Sequence, residues 1–140
     1  MKTAHTRIPV KTTLLMALIT FSVACGYSSP KTTPPVAGAM PTIASLNPSS
    51  ATAGDAGFTL TINGSNFGSK AVANWNGAAQ TANTMFVSAS QLTVAVPASL
   101  IATAGKVSVT VTNPGTMGTG LYGSGGTLPE TSSAMTFTIN

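Results

Sequence analysis

The stretch Phe58-Thr59-Leu60-Thr61-Ile62-Asn63-Gly64-Ser65-Asn66-Phe67-Gly68 decides the fold. Its first five residues alternate apolar and polar. Successive side chains of a strand point to opposite faces, so Phe58, Leu60 and Ile62 share one face and Thr59 and Thr61 the other. The same period recurs in Leu92-Thr93-Val94-Ala95-Val96, Val107-Ser108-Val109-Thr110-Val111 and Met135-Thr136-Phe137-Thr138-Ile139. Each reads as a half-buried strand.

Shorter strand candidates are Thr42–Leu46, Ala71–Asn76 and Gln80–Val87. Asn76-Gly77 separates the last two and is a strong signal for a two-residue hairpin. Pro97-Ala98-Ser99-Leu100-Ile101 allows one short helical turn with Pro97 at its first position. No useful stretch has helical periodicity. About seven short strands in roughly 100 residues predict an all-β antiparallel sandwich. Its core is expected to contain Ile43, Leu60, Ile62, Trp75, Phe86, Leu92, Val94, Val109, Val111 and Phe137. Trp75 alternates with Ala73 and reads as core rather than as a platform for a sugar. Phe67 reads as a core plug. Gly64 and Gly68 are expected to permit backbone geometry closed to other residues around a tight connection.

The order of short motifs adds to this. Pro41-Thr42-Ile43 leads to Leu46-Asn47-Pro48 and Ala53-Gly54, and then to the stretch quoted above. Trp75-Asn76-Gly77, Val94-Ala95-Val96-Pro97, Val107 to Gly115 (VSVTVTNPG) and Ala134 to Ile139 follow. The series resembles the IPT/TIG domain, an immunoglobulin-like module of cell-surface receptors, Rel-type transcription factors and bacterial extracellular proteins. The resemblance covers residues 41–140 and implies an immunoglobulin-like β-sandwich.

Ahead of this domain the composition changes twice. Lys2, Arg7 and Lys11 precede an uncharged run from Thr12 to Ala24 that holds Leu14, Leu15, Leu18, Ile19 and Phe21. A basic start and a short apolar run describe an export signal over residues 1–24. A spanning helix needs roughly 20 apolar residues, more than this run supplies. Ser22-Val23-Ala24-Cys25 closes it and contains the only cysteine of the chain. This resembles the lipobox of bacterial lipoprotein precursors, with Ser22 where leucine is usual. The resemblance implies cleavage between Ala24 and Cys25 and lipid on the Cys25 sulfur. Two or more acyl chains hold a protein at a membrane stably where one does not. Gly26, in place of a retention-signal aspartate, implies the outer membrane. Residues 25–40 are then a lipidated cysteine and a tether rich in Pro, Ser and Thr, which cannot bury enough surface to fold.

Charge and chemistry narrow the function. The whole chain carries +4. Beyond residue 24 only Lys31, Lys70, Lys106, Asp55 and Glu130 are charged, a balance of +1 with no arginine. Nucleic-acid binding requires a phosphate-neutralising patch, which this lacks. The one histidine, His5, lies in the export signal, so the mature chain has no Ser-His-Asp or Cys-His arrangement and no ordinary zinc ligands. Asp55 and Glu130 are expected at opposite ends of the sandwich, too far apart for a glycosidase pair. No enzyme activity, metal or cofactor is expected. Leu128-Pro129-Glu130-Thr131-Ser132 approaches a sortase signal but lacks its glycine, and Asn63-Gly64-Ser65 is a tight turn rather than a glycan acceptor.

The long glycine-rich loop from Asn113 to Ser133 is expected to share an end of the sandwich with the Ser65–Lys70 loop. Lys70, Leu121, Tyr122 and Glu130 are therefore the candidate binding residues. The expected function is a non-enzymatic cell-envelope lipoprotein whose domain serves protein binding, adhesion or envelope assembly. The alternative is a carbohydrate-binding surface lipoprotein, for which Tyr122 is the one aromatic expected to be exposed.

Overall fold

The computed structural model describes residues 33–120 and 124–140. The export signal, the cleavage site at Ala24, the lipidation site Cys25 and the loop residues Leu121 and Tyr122 lie outside the described residues.

Among the described residues ten strands follow in order: β1 (Thr42–Asn47), β2 (Ser50–Ala51), β3 (Phe58–Ser65), β4 (Val72–Trp75), β5 (Ala78–Ala79), β6 (Thr84–Ser88), β7 (Gln91–Val96), β8 (Gly105–Asn113), β9 (Glu130–Thr131) and β10 (Met135–Ile139). One sheet has the order β1-β3-β7-β6 and the other β2-β10-β8-β4-β5, with β9 also on β8. Every pair is antiparallel except β2 with β10. The seven strands of four or more residues each overlap one of the seven stretches expected from sequence. The first, second, fifth and fourth of them form one sheet, and the third, sixth and seventh the other. That partition is the immunoglobulin sandwich.

Period-two burial explains the layering. Leu60 pairs with Val94 and Ile62 with Leu92 in the first sheet; Ala73 pairs with Val111 and Trp75 with Val109 in the second. All eight side chains are buried. Phe137 joins the two layers. Its ring centroid lies 5.1 Å from Trp75 in its own sheet and 5.6 Å from Phe58 in the facing sheet. Aromatic contacts of this kind add about 0.5–1.5 kcal/mol beyond area burial. Phe67 is buried as expected.

Several details depart from the sequence reading. Gln80–Val87 is not one strand. Asn76 and Gly77, at φ 49° and 84°, form the anticipated hairpin turn, but it returns only the two residues of β5. The Gln80 carbonyl then accepts the N–H groups of Asn83 and Thr84 and the Thr84 hydroxyl, and the chain crosses to the other sheet as β6. Phe86 is not core. It lies opposite Leu92, but β6 is an edge strand and Phe86 stays 38% exposed. Pro97 stands before the 3₁₀ turn Ala98–Ile101 as its cap, not within it.

The role of Gly64 differs too. The left-handed position in this connection belongs to Asn66, at φ 60°, and not to a glycine. A Cβ at Gly64 would run into the Thr42 carbonyl oxygen and the Phe67 ring. Glycine is needed there for close approach. Finally, within residues 33–40, read as the last part of the unstructured tether, Val36 forms an isolated parallel bridge with Thr127 and the Thr33 carbonyl accepts the Gly125 N–H.

Candidate functional site

The sequence-predicted loops do meet at one end of the sandwich. β3 ends at Ser65, and Phe67 anchors the next connection by burying its ring and donating its N–H to the Ala89 carbonyl at 2.9 Å. β8 ends at Asn113, whose side chain holds three segments together. Its Oδ1 accepts the Gly68 N–H at 2.8 Å, and its Nδ2 donates to the carbonyls of Asn66 at 2.7 Å and Ala39 at 2.9 Å. Asn66 Nδ2 donates in turn to the Met40 carbonyl at 3.2 Å.

Beyond Asn113 the chain forms a small hairpin. Thr116 and Thr127 exchange backbone hydrogen bonds at 3.1 and 3.0 Å, reinforced by their hydroxyls at 3.0 Å. Val36 adds to its edge through an isolated parallel bridge to Thr127. The Val36 N–H donates to Gly126, the Leu128 N–H to Val36 and the Gly125 N–H to Thr33. The returning chain re-enters the sandwich through β9. Ser132 then fills the break before β10, its hydroxyl accepting the Val111 N–H at 3.0 Å.

Strap, hairpin and β3–β4 connection enclose an open cleft of about 670 Å³. Lys70 lines it, with Asn113, Thr116, Met117 and Leu128. Glu130, paired with Asn113 on β9, lies at the same end. Lys70 and Glu130 thus lie at the same end of the sandwich, while Leu121 and Tyr122 lie outside the described residues. Trp75 is buried against Phe137, which removes it as a sugar platform.

Asp55 sits elsewhere. Its neighbours Ala53 and Gly54 bond to the carbonyls of Asn140 and Ile101, beside the Gly105 end of β8, whereas Glu130 faces the Asn113 end. A nine-residue strand is roughly 27–30 Å long, so these carboxylates do not meet. Among the described residues no group of three His, Cys, Asp or Glu side chains is placed to hold a metal. No helix among them is long and apolar enough to cross a membrane.

A second surface escaped the sequence reading. On β6 the consecutive residues Met85, Phe86 and Val87 are all exposed, Met85 at 68%. A register shift between Phe86 and Ser88 bulges Val87 out of the β6–β7 ladder. The signal was the unbroken apolar run Met85-Phe86-Val87, which lacks the alternation of the other strands.

Sheet order, strand count and this loop-end geometry define an immunoglobulin-like module without a catalytic constellation among its described residues. The model of the IPT/TIG domain family matches residues 41–137, and the chain belongs to that family. Modules of the family are generic immunoglobulin-like units that often mediate protein interaction. Comparison with curated proteins and with solved structures gives no match.

Proposed function

We propose that the chain is a non-enzymatic cell-envelope lipoprotein, anchored through Cys25, that presents one IPT/TIG domain to a protein partner in adhesion or envelope assembly. The anchor reading rests on the apolar run ending in Ser22-Val23-Ala24-Cys25, and Gly26 favours the outer membrane. The observation that carries the binding role is the exposed Met85-Phe86-Val87 run on edge strand β6. Exposed apolar residues in series on an otherwise polar β-surface mark interaction sites, and a free edge supplies unpaired backbone groups to a partner. A glycan would favour exposed aromatic rings, and the described domain offers only Phe86.

Site-specific photocrosslinking in intact cells tests the reading. A photoreactive residue at Met85 or Val87 is expected to capture a discrete protein, and one at exposed Thr59 on the outer face of the same sheet is not. Equal capture from all three positions, or none, contradicts it.

A further inference from the structure

We propose that the loop end of the sandwich rests on a lipid bilayer, adding a protein–membrane contact to the acyl anchor. The inference rests on the reading of Cys25 as lipidated. Its first support is where the chain enters. The Thr33 carbonyl accepts the Gly125 N–H at 3.0 Å, toward the outer end of the 116–127 hairpin. From there the strap runs inward to Ala39 and Met40, which bond to Asn113 and Asn66 at the sandwich. The anchored segment therefore reaches the domain by way of the hairpin.

The second support is covalent reach. Cys25 and Thr33 are eight residues apart. At no more than about 3.5 Å per residue the hairpin stays within about 28 Å of the lipidated sulfur. A free tether through residue 40 would allow roughly 45 Å at polyproline spacing. Docking of residues 33–40 removes much of that slack and orients the domain with this end toward the anchor.

The third support is the surface itself. Met117 is 95% exposed at this end, where Leu128, Val36 and Met40 are also exposed. Among the described residues the end carries Lys70 and Glu130, one charge of each sign. A contact made by apolar side chains, with no net charge, requires no anionic headgroup and resists salt. The opposite end, around Asp55, Ala102 and Lys106, has no large exposed apolar side chain among the described residues.

The test uses the acylated full chain in phosphatidylethanolamine–phosphatidylglycerol vesicles whose upper acyl chains carry a nitroxide. An environment-sensitive fluorophore is attached through Met117→Cys or Leu128→Cys, with Thr103→Cys and Met85→Cys as controls. Quenching several-fold stronger at 117 and 128 than at 103 and 85, unchanged in high salt, is the expected result. Met117→Asp is expected to reduce quenching at 128, and Met117→Leu to preserve it. Mass spectrometry of the N-terminal peptide from the same sample reads acylation. Equal quenching at all four positions of an acylated chain overturns the bilayer contact and leaves the anchor standing. An unacylated Cys25 overturns both.

Discussion

The Asn113 side chain accepts the Gly68 N–H at 2.8 Å across 45 positions of sequence, and with its amide nitrogen it also holds Asn66 and Ala39. One residue at the end of β8 therefore fixes both the β3–β4 connection and the strap. Asn113→Ala removes all three bonds and is expected to lower unfolding free energy by about 1–3 kcal/mol. Asn113→Asp keeps the acceptor for Gly68 and loses both donors. It is expected to speed hydrogen exchange at the Val36 and Leu128 amides more than it lowers global stability. Unchanged exchange there would show that the strap does not depend on Asn113.

Gly64 is sterically obligatory. The atom that a Cβ would meet first is the Thr42 carbonyl oxygen, which is backbone and paired into β1–β3. Gly64→Ala is expected to destabilise by about 1–3 kcal/mol or more through this overlap. Denaturant unfolding checks it. A neutral result would mean that β1 shifts at no cost.

Phe137 is fully buried between Trp75 and Phe58. Phe137→Ala is expected to cost about 3–5 kcal/mol. Domains of this size have about 5–15 kcal/mol in total, so the variant should melt well below the native protein or fail to fold. Phe137→Leu, which keeps most of the apolar volume, is expected to lose clearly less. Calorimetry of the two variants distinguishes the ring contacts from simple burial.

The long strands were legible because each has one wet and one dry face, and period two records that directly. Trp75 and Phe67 were legible for the same reason, through their place in strand and motif. Phe86 was not. Its apolar character matches a core residue, and only the position of β6 at a sheet edge, a tertiary fact, leaves it 38% exposed. Strap docking was equally hidden. Residues 33–40 contribute little apolar burial, and what holds them is backbone hydrogen bonding to a hairpin some 90 positions away together with the Asn113 and Asn66 side-chain amides, which apolar patterns do not encode. At the loop end, the meeting of the Lys70 and Glu130 loops followed from immunoglobulin topology, whereas the Asn113 clamp did not.

The exposed run on β6 separates binding from stability. Met85→Lys with Val87→Lys alters exposed side chains only and is expected to change stability by less than about 0.5 kcal/mol. Charge on an edge strand opposes pairing with another chain. Loss of partner crosslinking from a photoreactive residue at Phe86, with an unchanged melting temperature, is the expected outcome. Retained crosslinking would show that the Met85 and Val87 side chains do not carry the binding.

The account stands or falls on Cys25, since the anchor and the orientation of the domain both follow from its modification. Mass spectrometry of the N-terminal peptide of the protein recovered from bacterial membranes tests it directly. The account predicts a chain that begins at Cys25, carries diacylglycerol on the sulfur, and leaves the membrane fraction when the position is changed to Ser. An N-terminus elsewhere, or a free Cys25 thiol on protein that stays in the membrane fraction, would contradict it.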